Sequence, residues 1–176
     1  MSWSDRLRRG LAPPALAALL PLGLGGCFTP LYSSAGGNLG GELRAIAVDP
    51  VPDRLGHYLR DELITDLNGT GDKPAPRYRL QITTSERVQT ALIDVTTQRP
   101  DSGTVVTDVK WTLLPVEGGA PIATGSATSF ASYDRSAQRF ANIRAARDAE
   151  IRDARTLADE ITTQVATKLG QVAPPR

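Results

Sequence analysis

This 176-residue chain has one cysteine and one histidine, and only 5% of its residues are aromatic. A lone cysteine excludes an internal disulfide, so packing alone must hold the fold. A lone histidine excludes the paired imidazoles of common zinc sites. His57 lies beside Tyr58 within a helical pattern, with no nucleophile motif nearby, and reads as a surface residue. Charge of one sign is also missing: 20 Lys and Arg stand against 19 Asp and Glu, which excludes the broad basic stripe of a nucleic-acid binder. No G-x-x-x-x-G-K loop or strand-coupled G-x-G-x-x-G is present to cradle a phosphate. Asp61 and Glu62 are adjacent on a helix and point apart, so they form no acid/base dyad. The chain reads as a non-enzyme, with no catalytic residues, no metal site and no cofactor.

The apolar run Leu11 to Leu24 is too short for the roughly 20 residues a spanning helix needs, and Pro13, Pro14 and Pro21 interrupt it. Behind Arg6, Arg8 and Arg9, and ending in Leu24-Gly25-Gly26-Cys27, it reads as a bacterial lipoprotein signal. The small residues before Cys27 leave a peptidase access to the backbone, and the thiol supplies a nucleophile for diacylglycerol transfer. Residues 1–26 are therefore expected to be removed, leaving Cys27 as the lipid attachment site. Each buried acyl CH₂ contributes about 0.8 kcal/mol, so two or more chains anchor stably. Phe28 occupies the position where an aspartate would favour inner-membrane retention, which points to the periplasmic face of the outer membrane.

After removal, seventeen basic and eighteen acidic residues remain. Residues 27–42 read as the lipidated N-terminus and a flexible tether, rich in small residues from Ser33 to Gly41. The domain is expected over 43–170. Leu43 to Val48 reads as a strand, and Asp53 as the cap of a helix with Leu55, Leu59, Leu63 and Leu67 in one stripe, stopped at Asn68-Gly69. Arg77 to Val88 alternates, and a phase slip near Gln89 implies a bulge or tight turn, with Ile93 and Val95 on odd positions beyond it. Thr104 to Leu114 alternates again and turns at Glu117-Gly118-Gly119 into a strand over Ile122 to Tyr133. Trp111 and Phe130 read as core residues of these strands.

From Ser136, a candidate N-cap, the pattern is helical, with a stripe of Ala154, Leu157, Ala158, Ile161, Val165 and Leu169. Arg144/Asp148 and Asp148/Arg152 have the spacing of solvated ion pairs. Gly170 and then Pro174-Pro175 end the helix, leaving 171–176 as a disordered tail. The expected fold is α+β in the order β-α-β-β-β-α, with two helices packed on one face of a four-stranded mixed sheet.

Several blocks resemble the lipopolysaccharide-assembly lipoproteins of the LptE family. Cys27-Phe28-Thr29-Pro30-Leu31-Tyr32 is similar to that family's opening, although the glycine usual after the cysteine is absent. Ile46-x-Val48 with Asp53-Arg54-x-Gly56-x-x-Leu59-Arg60 resembles its first strand and helix, and Tyr78-x-Leu80-x-Ile82 its second strand. Ser132-Tyr133-Asp134, Phe140-Ala141, Asp148-Ala149, Arg152 and Leu157-Ala158-Asp159-x-Ile161 are similar to its last strand and long helix. The resemblance implies a plug inside the outer-membrane barrel LptD, with lipopolysaccharide as cargo. Arg99 and Arg135, near loop ends, are candidate contacts to lipid A phosphates. Two other readings compete: an auxiliary lipoprotein of a phospholipid-trafficking ABC transporter, and a periplasmic envelope hydrolase, which the missing catalytic set disfavours.

Overall fold

The computed structural model describes residues 39–69, 74–90 and 101–172. Short helix α1 (Leu39–Arg44) leads into strand β1 (Ile46–Val48), helix α2 (Arg54–Asn68), strands β2 (Tyr78–Gln89), β3 (Ser102–Pro115) and β4 (Ala123–Asp134), and the long helix α3 (Arg139–Val172). The sheet order is β1-β2-β3-β4. β1 runs parallel to β2, pairing Val48 with Leu80, whereas β2–β3 and β3–β4 are antiparallel. The parallel first pair follows from its connection, since α2 crosses over between β1 and β2, whereas the later strands return directly.

Period-two alternation gives the sheet its two faces. Leu80 and Ile82 of β2, Val109, Trp111 and Leu113 of β3, and Ala127 of β4 lie buried on one face. Against them pack the α2 stripe Leu55, Leu59, Leu63 and Leu67 and the α3 stripe from Ala154 to Leu169. The expected α+β architecture, two helices on one face of a four-stranded mixed sheet, is the observed one, with α1 added in front. Trp111 is buried as expected.

Several local expectations give way to tertiary packing. Leu39 to Glu42, read as tether, and Leu43 and Arg44, read as strand, belong to α1. The Glu42 carboxylate accepts hydrogen bonds from the Tyr78 hydroxyl at 2.8 Å and from Arg77, and Leu43 is buried, so α1 is stapled to β2 by contacts distant in sequence. A Cβ at Gly170 would stand 4.0 Å from Leu39 Cδ2, which places the start of α1 at the C-terminal end of α3.

Asp53 precedes α2 but makes no side-chain cap bond; its carbonyl accepts from His57 N–H at 3.1 Å. Val51 folds so tightly on Gly56 that a Cβ there would lie 2.5 Å from Val51 Cγ1, and Asp53 completes this turn at φ 74°. Such a backbone costs a non-glycine residue about 1–3 kcal/mol. Gly69, at φ 59°, ends α2 by donating to Thr65 O at 2.9 Å.

Ser136 lies outside α3 rather than capping it: its hydroxyl accepts from Gln138 N–H at 3.1 Å, and its own N–H donates to Asn142 Oδ1 at 2.8 Å. α3 runs to Val172, two residues past Gly170. Of the two spaced pairs on α3, Arg152–Asp148 forms at 2.9 Å; Arg144–Asp148 is not among the ion pairs of the described residues. Phe130 departs furthest from expectation. It points to the uncovered face and is 65% exposed, because its parity in β4 is opposite to that of the buried Ser129 and Ala131. Ile93 and Val95, near the inferred phase slip, lie outside the described residues.

Candidate functional site

Arg135 follows β4 directly. Its N–H donates to the Asp101 carbonyl at 2.8 Å, closing the β3–β4 pair, and its guanidinium lies 5.5 Å from the centre of the Tyr133 ring. Nη2 donates to the Tyr133 hydroxyl at 3.1 Å. Tyr133 in turn covers Gly103 on β3, where a Cβ would meet its Cζ at 2.7 Å, so only glycine there lets the ring lie close. The cation is thus held half-buried by stacking and one hydrogen bond. Its remaining N–H groups can still take an anion. Arg99 and Cys27 lie outside the described residues.

The turn after Arg135 is clasped by Ser136 and Asn142, whose Nδ2 donates to Ser136 O at 2.9 Å. This clasp sets the first turns of α3 at the end of the sheet. From Arg135 to Arg147 the sequence carries Arg135, Arg139, Arg144 and Arg147 and no acidic residue. Phe140 and Ile143 stand among these arginines, 82% and 54% exposed. Cationic and apolar groups are therefore mixed on one projecting helical end, a surface complementary to an anionic amphiphile. Sequence reasoning singled out only Arg135 of this set. The available signal was the acid-free stretch, with Phe140 and Ile143 falling outside the apolar stripe that begins near Ala149.

A second polar group lies between the helices and the sheet. Arg54 donates to both carboxylate oxygens of Glu150, through Nε at 2.6 Å and through Nη2, and Glu150 is only 4% exposed. Asp153, 1% exposed, accepts from Thr107 Oγ1 at 3.0 Å and Ser129 Oγ at 2.7 Å. Burial pushes its carboxyl above the ordinary aspartate range, and the two hydroxyl donors pull back only in part. Glu86 is likewise held up by burial and then by the neighbouring Glu150. A cleft of about 400 Å³ opens here, lined by Asp53, Arg54, Leu55, Thr84 and Glu86. The one histidine is remote from this group chemically: His57 Nε2 sits 3.4 Å from Asp61 on the exposed side of α2. Among the described residues no group of three His, Cys, Asp or Glu is arranged to hold a metal ion, and no helix is long and apolar enough to cross a membrane.

The uncovered sheet face carries Thr83, Ser85, Thr104, Ser126, Thr128 and Ser132 at alternating positions. Asp108 links two strands on this face, accepting from Arg87 and, at 2.8 Å, from Thr128 Oγ1, and these donors lower its pKa. Thr104 and Ser132 hydroxyls meet at 2.9 Å. The face mixes short hydroxyls with the charged Arg79, Arg87, Asp108 and Lys110, and Phe130 is its one large exposed apolar group among the described residues.

No protein-family model matches the chain, and no curated protein matches it. Solved structures do. A candidate lipoprotein from Caulobacter crescentus CB15 is 26% identical over 75% of this chain and 96% of its own, with a TM-score of 0.64. A minor lipoprotein from Acinetobacter baumannii is 17% identical, covering 74% and 94% of the two chains with a TM-score of 0.53. Rare lipoprotein B from Shewanella oneidensis is 16% identical, covering 72% and 97%, also at 0.53. The last two establish likeness of fold alone. In all three the match spans nearly the whole of the solved chain.

Proposed function

We propose that this chain is a non-catalytic outer-membrane lipoprotein of the LptE kind, anchored through Cys27, which lodges in an LptD-like barrel and assists lipopolysaccharide delivery to the cell surface. The observation that carries the reading is the one-sided sheet: helices cover one face, and the other is polar and rich in hydroxyls. A wide barrel cannot fill its own interior with side chains, and its lumen is polar. Short hydroxyls on a rigid face can meet such a wall by hydrogen bonding, and the ion pairs Arg79–Asp49 and Arg87–Asp108 offset charge there. The lipoprotein signal at Cys27 and the likeness to the lipoproteins named above support the anchor.

The projecting end formed by Arg135, Arg139, Phe140 and Ile143 is the surface proposed to meet lipopolysaccharide: guanidinium groups for phosphates, and Phe140 and Ile143 for acyl chains. Arg99 belongs to the same proposal. α1 starts near Gly170, at the end of α3 opposite to this surface. The distance between the two ends is roughly 45 Å at 1.5 Å per helical residue.

The test is affinity recovery of the full chain from detergent-solubilised membranes, followed by depletion in cells. Recovery of a large barrel, with loss of surface lipopolysaccharide and of barrel maturation together on depletion, is the expected result. Recovery of inner-membrane transporter components instead would replace the reading by that of a phospholipid-trafficking auxiliary.

A further inference from the structure

The two outer edges of the sheet differ. On β4 the Arg135–Asp101 bond sets the parity: odd residues face β3, and even residues turn their backbone groups outward. α3 covers part of that edge, with Gln164 Nε2 donating to Ser126 O at 3.1 Å and Arg152 Nη2 to Ser132 O at 2.9 Å. On β2 the parity follows from Val116 N–H donating to Arg77 O and Asp49 N–H donating to Leu80 O, so even residues face away from β3. β1 is three residues long and pairs only with Tyr78 to Leu80. Beyond it, Ile82, Thr84, Glu86 and Val88 turn N–H and C=O groups outward, and no group among the described residues bonds to them. Proteins ordinarily blunt such edges. Here one edge has side-chain caps, and among the described residues the other has none.

We infer that the outward edge of β2 from Ile82 to Val88 receives an extended strand of the partner barrel protein, with a lysine or arginine of that strand facing Glu86. A row of alternating donors and acceptors about 7 Å apart matches an extended backbone and neither a helix nor a lipid chain. Around the edge, among the described residues, Asp53, Glu86 and Glu150 gather about Arg54, which pairs with Glu150, so an added cation is electrostatically matched there. A closed barrel wall has no free edge, so the strand comes from a segment of the partner outside that wall. The inference rests on the proposed barrel partnership and extends it.

Proline at position 84 tests it, since Thr84 N–H points outward and its loss leaves the β2–β3 ladder intact. The full-length Thr84→Pro chain is expected to keep its melting temperature within a few degrees yet recover at least tenfold less barrel from solubilised membranes, whereas Thr84→Ala recovers the wild-type amount. In the wild-type complex, amide exchange at residues 82, 84, 86 and 88 slows at least tenfold relative to the free chain, a readout that needs no variant. Undiminished recovery with a folded Thr84→Pro chain, or equal exchange at these amides in the free and bound states, overturns the inference. If the wild-type chain recovers no barrel at all, the proposed function falls first and this inference with it.

Discussion

Trp111 on β3 occupies the space that a side chain at Gly125 on β4 would need: a Cβ there would come 2.5 Å from Trp111 Cζ2. The indole Nε1 then donates to Gln164 Oε1 of α3 at 2.9 Å, so the largest core side chain finds a partner for its only polar atom. Three elements are tied at one residue. Gly125→Ala is expected to push the ring off this position and destabilise the domain by about 1–3 kcal/mol, as overpacking does. Trp111 is the only tryptophan after residue 26, so urea unfolding followed by its fluorescence reads the change. An unchanged midpoint and emission maximum would refute the packing account.

The Asp153 carboxyl, whose pKa burial raises, yields a pH dependence. The folded state holds the proton more tightly than the unfolded state. This contribution to stability is therefore fully present below the ordinary aspartate pKa of about 3.9 and is lost as pH rises through the raised value. Relative to Asp153→Asn, which cannot titrate, the wild-type domain should gain stability as pH is lowered from about 7 to 4. Paired urea titrations across that range check the sign; parallel curves would refute it.

Arg54 and Glu150 couple α2 to α3 across the core. Removing the arginine leaves a nearly buried carboxylate without its cation, which in a fully buried pair costs about 3–5 kcal/mol. The Arg54 side chain is itself about half exposed, and solvent screening cuts the expectation for Arg54→Ala to about 1–2 kcal/mol. Adding Glu150→Gln should recover most of that loss, and a double-mutant cycle by thermal unfolding measures the coupling.

Asp108 lies on the uncovered face, where Arg87 and Thr128 hold its pKa down. Arg87→Ala should raise that pKa towards the ordinary aspartate value, seen as a shifted carboxyl titration by NMR. Added salt should narrow the difference between the two chains, because the Arg87–Asp108 pair is solvent-accessible.

Phe140 and Ile143 project into solvent and contribute little to the core. Phe140→Ser with Ile143→Ser is therefore expected to change stability by less than about 0.5 kcal/mol while lowering lipopolysaccharide binding at least tenfold. A large loss of stability would mean that the two side chains are structural; intact binding would remove them from the proposed ligand surface.

Much of the fold was legible because its signals are periodic. The Leu55-Leu59-Leu63-Leu67 stripe, the alternation of Leu80 and Ile82, and the stripe from Ala154 to Leu169 each need one face buried, and each face is buried. What failed was short or depended on parity. α1 was invisible because Glu42 answers Arg77 and Tyr78, which lie 35 and 36 residues away. Phe130 was misassigned because hydrophobicity outweighed its even position in a strand whose odd positions are buried.

Of the candidate site, Arg135 was read from the chain, whereas its fixation by Tyr133 over Gly103 and the exposure of Phe140 and Ile143 appear only in three dimensions. Sequence by itself determined element type and order, since hydrogen-bonded backbone and one-sided burial impose periods of 2 and 3.6 that residue chemistry reveals directly. Tertiary structure decided which edge of the sheet is capped, which arginines share an end, and which carboxylates are buried together. Those outcomes depend on strand register and on where a long helix begins, and both are set by contacts between residues that no local pattern connects.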